Sequence, residues 1–262
     1  MAEVLDIKYV PEKDPEFDNT RHLLDLFFPI EGNGNSNFPI LIFIHGGTWM
    51  YGNKDPYAVL GRNMAHYGIM TINVNYRLGD SVNFQKMALD CAKAVKWVAE
   101  NAHLYGGNPD KITISGHSAG GHLGALVALN NDYFNKVGIA NKIAKVLLID
   151  AFGLNIGHMI KKHGNEFLSH IEKIFTKDPE IWKSASPLNF ITNRKIPFFI
   201  MVGSRSYPML LADNKYFAEK LKKVNDEVIF YEAPGKSHQE MITQFQKKDS
   251  QLYKGVTEFI KS

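Results

Sequence analysis

Short apolar runs alternate along the chain with longer stretches whose apolar residues recur at helical spacing. That alternation predicts a mostly parallel sheet with helices on both faces. Residues 4–10 and 22–28 predict an early hairpin. Residues 39–44 form a continuous apolar run, the mark of a buried strand, and 71–75 form the next. Met87, Cys91, Val95 and Val98 follow at helical spacing. Residues 111–115 predict a strand that runs straight into GHSAGG, and residues 120–129, rich in Ala and Leu, predict a helix. Strands are expected at 145–149, 197–202 and 227–231, and helices at 213–223 and 250–260. There is no internal repeat and no low-complexity segment.

The rhythm breaks once. The connection between residues 149 and 197 carries helical patterns at 156–163 and 167–175 and a turn-like Ser186-Pro187. A connection that long usually carries structure of its own and often covers a site. It is read as a small helical lid over about 151–195, inserted in a single α/β domain spanning 1–262. A plain surface excursion is the alternative.

The 262 residues and 45% apolar content suit one α/β domain with a buried core. Thirty Lys and Arg against 27 Asp and Glu leave a net charge of +3, and no dense basic run with interleaved aromatics points to nucleic acid. The single cysteine, Cys91, excludes an internal disulfide and falls on the apolar stripe of a predicted helix. No run of about 18 apolar residues predicts a transmembrane helix. The opening MAEVLDIKYV lacks a basic region followed by a long apolar run, so a cytoplasmic protein is the expectation.

The strongest chemical motif is Gly116-His117-Ser118-Ala119-Gly120, a G-x-S-x-G between a predicted strand and a predicted helix. A serine on such a turn stands exposed on strained backbone, and the glycines beside it remove side chains that would clash. The helix N-terminus brings a positive dipole to a developing oxyanion, and the Ala119 backbone N–H is one candidate donor. His45-Gly46-Gly47-Thr48-Trp49 directly follows the run 39–44. Its glycines let backbone N–H groups face a bound acyl group, which makes Gly47 and Thr48 the other candidate donors. His45 reads as holding the loop. Trp49 either walls a substrate pocket or packs in the core.

Ser237-His238-Gln239 follows shortly after the last predicted strand, and His238 comes after the serine, as a general base in this type of sheet does. His117 and His122 flank the nucleophile in sequence, and His117 is a candidate for the substrate pocket. His158, His163 and His170 fall in the expected lid and read as solvated. No H-E-x-x-H or Cys/His pattern suggests a metal, and no cofactor is implied.

These pieces resemble the hormone-sensitive-lipase-like and kynurenine-formamidase-like branches of the α/β-hydrolases. The resemblance rests on LLDLFFP, HGGTW, NYRL, GGNPDKITISGHSAGGHL, ASPL and SHQE, in order along nearly the whole chain. It implies the α/β-hydrolase fold and hydrolysis of a small-molecule ester or related amide through an acyl-enzyme. It also implies structural roles for Tyr76 and Arg77 near the sheet. GHSAGG leans toward the formamidase and feruloyl-esterase-like relatives. The resemblance places the triad aspartate a few residues after strand 197–202, but Gly203-Ser204-Arg205-Ser206 puts a serine there. Either the acid has moved or the enzyme runs on a dyad. Asp150, at the end of run 145–149, is the candidate, because it should emerge at the C-terminal edge of the sheet. A strand-end aspartate bonded to loop amides is the plainer reading of it. Asp213 is the competitor and reads as a helix N-cap. Beside the carboxylesterase or arylformamidase reading stand a non-catalytic binding protein on the same scaffold and a peptidase.

Overall fold

The apolar runs form eight strands among the described residues: β1 (Ala2–Lys8), β2 (Leu23–Phe28), β3 (Phe38–Ile44), β4 (Met70–Val74), β5 (Gly107–His117), β6 (Ile143–Ile149), β7 (Phe198–Gly203) and β8 (Val228–Ala233). The structure, a computed structural model, describes residues 1–30, 37–248 and 250–262; the side chains of residues 165–167 are outside that description. The strands pair in the order β1-β2-β4-β3-β5-β6-β7-β8. β1 and β2 are antiparallel to their neighbours, and every pairing from β4 to β8 is parallel.

Parallel neighbours need crossovers, and helices supply them. In chain order these are α1 (Ala58–His66), α2 (Phe84–Asn101), α3 (Ala119–Leu129), α4 (Asp132–Val137), α5 (Ile156–Phe175), α6 (Pro179–Ala185), α7 (Pro208–Lys222), α8 (His238–Thr243) and α9 (Gln251–Lys261). Side chains alternate along each strand, so the sheet builds a core on each face. Leu41, Phe43, Leu147, Ile149 and Met201 pack with Leu60 and Met64 of α1 and Val256 of α9. Ile40, Ile42, Ile114, Val146 and Leu148 pack with Val95 of α2, Leu123 of α3 and Phe217 of α7. Arg77 grips buried Asp90 of α2 through Nε–Oδ2 at 2.8 Å and a terminal nitrogen–Oδ1 at 2.6 Å, and the Tyr76 hydroxyl donates to the His45 carbonyl at 3.2 Å.

Several elements differ from the sequence expectation. The two patterns expected at 156–163 and 167–175 are both helical and meet within α5 at a break, where Gly164 takes φ 77° and ψ −174°. Phe167, which opens the second pattern, has its side chain outside the described residues. α7 begins at Pro208 rather than at 213, because a proline at the first helical position has its φ set for a helix and lacks only an N–H that would go unpaired there. Asp213 therefore lies inside the helix and is not its N-cap. α1, α4, α6 and α8 were not expected. No helix of the described residues is long and apolar enough to cross a membrane.

Candidate active site

β5 runs into α3 through a turn of one residue. Ser118 sits there at φ 55°, ψ −121°, a left-handed backbone that a side chain rarely adopts. Neighbouring backbone holds it: its N–H donates to the Ile149 carbonyl at 3.1 Å, and its carbonyl accepts from Phe152 at 3.0 Å and His122 at 3.2 Å. The turn has no room for side chains beside the serine. A Cβ on Gly120 would lie 2.1 Å from the Ile44 carbonyl oxygen, and one on Gly116 would lie 2.3 Å from the Gly120 carbonyl carbon. Ala119 is the first residue of α3, so its N–H has no acceptor within the helix and stands at the positive end of the dipole.

Asp150 follows β6 directly, at φ 49°, and is wholly buried. Its backbone N–H donates to Met201 of β7 at 2.7 Å, which aims the residue at the next strand end. Asp150 Oδ1 accepts from the Gly203 N–H at 3.0 Å. Its Oδ2 accepts from the Ser206 hydroxyl and from His238 Nδ1, the latter at 3.0 Å. His238 opens α8, whose start is locked by reciprocal bonds between Ser237 and Glu240. A carboxylate can only accept, so His238 carries its proton on Nδ1 and leaves Nε2 as an acceptor. The His117 ring lies against it, with centroids 4.5 Å apart, and donates from Nε2 to the His238 carbonyl at 3.0 Å. Burial pushes the His117 imidazole down to about 3. His117, Asp150 and His238 bring nitrogen and oxygen atoms within 4.8 Å of one another. Hydrogen bonds engage His117 Nε2, both Asp150 carboxylate oxygens and His238 Nδ1.

The loop after β3 is the third piece. Gly47 has φ 123°, and a Cβ there would lie 2.1 Å from the Tyr51 carbonyl oxygen. The Gly47 carbonyl accepts from the N–H groups of Met50 at 3.0 Å and Tyr51 at 2.9 Å, and the Gly46 carbonyl accepts from His45 Nδ1 at 2.7 Å. In a trans peptide the N–H points opposite to the carbonyl, so the Gly47 and Thr48 N–H groups turn away from these partners. Gly46 abuts Ser118: a Cβ on it would be 3.2 Å from Ser118 Cβ. Burial pushes His45 down to about 4, so the ring that pins this loop is neutral.

Ser118, His117, His238, Gly47 and Thr48 all line one cavity of about 670 Å³, together with Tyr51, Tyr57, Phe152, His163 and Tyr207. Trp49 does not. It is fully buried, its Nε1 donates to His122 Nδ1 at 3.1 Å, and it packs against Phe152 and Phe175. Of the two readings of Trp49, core packing is the one the structure shows. Its left-handed backbone, φ 62°, turns the indole inward. His122 also faces inward, donating to the Ala185 carbonyl at 2.7 Å, and burial pushes it down to about 4. His158, expected in solvent, pairs through Nδ1 with Asp213 at 2.7 Å. Ser206, marked in the sequence only as a serine at the position expected for the acid, donates to Asp150, and Tyr207, which carried no sequence signal, places its ring 5.5 Å from that of His238.

Comparison with known proteins follows the same lines. The BD-FAE family model matches residues 24–221. Esterase LipQ of Mycobacterium tuberculosis is 28% identical over 246 residues, covering 90% of this chain and 57% of its own. Isoprenylcysteine alpha-carbonyl methylesterase ICME of Arabidopsis thaliana is 26% identical over 247 residues, covering 87% and 56%. The chain spans about half the length of the curated relatives it matches. A truncated carbohydrate esterase from gut microbiota superposes with a TM-score of 0.80 at 20% identity, over 100% of this chain and 95% of that one. The shared fold is the α/β-hydrolase fold.

Proposed function

This chain belongs to the BD-FAE family, within the α/β-hydrolases, and from that we propose that it hydrolyses small carboxylic esters or arylformamides through an acyl-enzyme on Ser118. The observation that carries the reading is one cavity lined by Ser118 and by a His238 whose far nitrogen is bound to buried Asp150. Ser118 Oγ attacks the carbonyl carbon while its proton passes to His238 Nε2. The carbonyl oxygen takes up the negative charge, facing the N–H groups of Ala119, Gly47 and Thr48. Asp150 stabilises the imidazolium that forms. The bond to the leaving oxygen or nitrogen then breaks, and His238 returns the proton to that atom. Water repeats the sequence on the acyl-enzyme, releasing the acid and restoring the Ser118 hydroxyl.

The walls favour compact substrates. Tyr51, Tyr57, Phe152 and Tyr207 line the cavity, and its volume falls in the ordinary range for small-molecule sites. Residues 151–195 contribute Phe152 and His163 to that wall, as a lid would. Among the described residues, their outer surface carries Lys161, Lys162, Lys173, Lys177 and Lys183 and no large exposed apolar side chain that could seat on an oil–water interface.

The test is hydrolysis of p-nitrophenyl acetate, butyrate and palmitate, with N-formylkynurenine alongside, by the wild type and Ser118→Ala. Substitution of the serine should cut turnover by about 10⁶-fold, as in serine proteases. Efficiency should fall from acetate to palmitate. A Ser118→Ala variant that keeps most activity, or palmitate as the best ester, would contradict the reading. A wild type inert toward every substrate would favour a binding protein.

A further inference from the structure

Ser206 stands where the chain leaves β7, and it is buried, with 9% of its surface exposed. Its backbone N–H donates to the Gly203 carbonyl at 3.0 Å, which closes a tight turn and aims the side chain back at the end of β6. There the hydroxyl donates to Asp150 Oδ2, the same oxygen that accepts from His238 Nδ1. Gly203 N–H takes the other oxygen at 3.0 Å. Both donors come from one strand end, and together they fix the carboxylate plane and the oxygen offered to the histidine.

We propose that Ser206 is a positioning residue for the proposed hydrolysis: its hydroxyl holds Asp150 so that Oδ2 faces His238 Nδ1. The inference rests on the hydrolase reading and goes beyond it, because the acid then depends on a donor from the neighbouring strand. A carboxylate buried on a strand end needs hydrogen-bond donors for its oxygens. Asp150 has two besides the histidine, and only Ser206 shares the oxygen that His238 uses. Without that hydroxyl, Oδ2 loses the contact that sets its direction, and the imidazolium formed during reaction is stabilised less well. The effect falls on turnover and not on substrate affinity, since Ser206 is not among the cavity-lining residues.

The test compares kcat and KM for p-nitrophenyl acetate in wild type, Ser206→Ala, Ser206→Thr, Asp150→Asn and Asp150→Asn with Ser206→Ala, with Ser118→Ala as reference. Ser206→Ala should lower kcat roughly tenfold, the effect of losing one hydrogen bond to a charged group, with KM unchanged. Ser206→Thr keeps the hydroxyl and should stay within about threefold of wild type on the same scale. In the Asp150→Asn background, Ser206→Ala should add less than about twofold, because the two act as one unit. Wild-type kcat in Ser206→Ala would overturn the inference. So would Ser206→Thr falling as far as Ser206→Ala, or an undiminished Ser206→Ala effect on top of Asp150→Asn. Any of these with Ser118→Ala inactive defeats the positioning role alone. An active Ser118→Ala defeats the hydrolase reading and this inference with it.

Discussion

The histidine–aspartate pairs His158–Asp213 and His238–Asp150 each join separate elements of this chain, and their lengths would rank them in the wrong order. Asp213 and His158 are 2.7 Å apart; Asp150 and His238 are 3.0 Å apart. Their surroundings separate them. Asp150 ends a strand, is wholly buried, and meets a backbone N–H and a hydroxyl in addition to its histidine. Asp213 lies in the middle of α7, and burial raises its pKa above the usual carboxylate range even though His158 and the field of His163 pull the other way. His158 belongs to α5, with a side chain 40% exposed, so that pair ties α5 to α7. In the first pair the carboxylate already meets two other donors, the preorganisation that the proposed catalysis would use. The second is a tether between helices. What distinguishes a candidate catalytic carboxylate here is the set of donors around it and the presence of Ser118 in its histidine's cavity.

The largest expected effect comes from exchanging each acid for its amide. Asp150→Asn should lose about 10⁴-fold in turnover while remaining folded, by analogy with the protease triad, in which the amide favours the wrong imidazole tautomer. Asp213→Asn should lose less than about tenfold by the same comparison. Steady-state hydrolysis with circular dichroism on both variants measures this. Equal losses would erase the distinction between the pairs.

A smaller effect concerns pH, and it arises at three buried histidines, His45, His117 and His122. Burial holds His117 near 3 and His45 and His122 near 4, below the ordinary histidine value of 6.5. Between these values and 6.5 the unfolded chain binds protons that the folded chain does not, so stability rises with pH across that window. It is fully present above 6.5 and is lost as pH falls toward 4. Thermal unfolding between pH 7 and pH 5 should show Tm dropping by about 5–10 °C, the range for a loss of a few kcal/mol in a chain of this size. A flat Tm over that interval would mean that these rings accept protons in place.

The smallest expected effect is on the tether. His158→Ala leaves Asp213 buried without its partner and should lower Tm at pH 7 by about 2–4 °C, with hydrolysis changed less than about threefold. A drop in activity larger than that given by Ser206→Ala would move the second pair into the chemistry.

Much of this layout was legible in the chain. The runs at 39–44, 145–149 and 197–202 carry enough consecutive apolar residues to announce buried parallel strands, and Asp150 was findable because a strand end in such a sheet has a known edge. GHSAGG announced its turn through glycines that the close approach of Ile44 and Gly120 requires. Trp49 was ambiguous because an aromatic after a glycine pair gives no sign of its backbone φ, and the φ decides which way it points. α1 escaped notice because its buried face is short and weakly apolar, with Gly61 and Ala65 beside only Leu60 and Met64. Asp213 was misplaced because Pro208 starts the helix before the first obvious apolar repeat. Ser206 was visible only as a serine at an acid's position. Its contact with Asp150 depends on how the ends of β6 and β7 lie side by side, which no local pattern encodes.

The claim on which everything else depends is that Ser118 is a live nucleophile. Incubation of the wild type and Ser118→Ala with a fluorophosphonate probe, followed by peptide mapping by mass spectrometry, tests it without any assumption about substrate. The expected result is one phosphonyl adduct, on Ser118, with loss of esterase activity in step with labelling and no adduct in Ser118→Ala. An unlabelled wild type, or an adduct on a different serine that persists in Ser118→Ala, would contradict it.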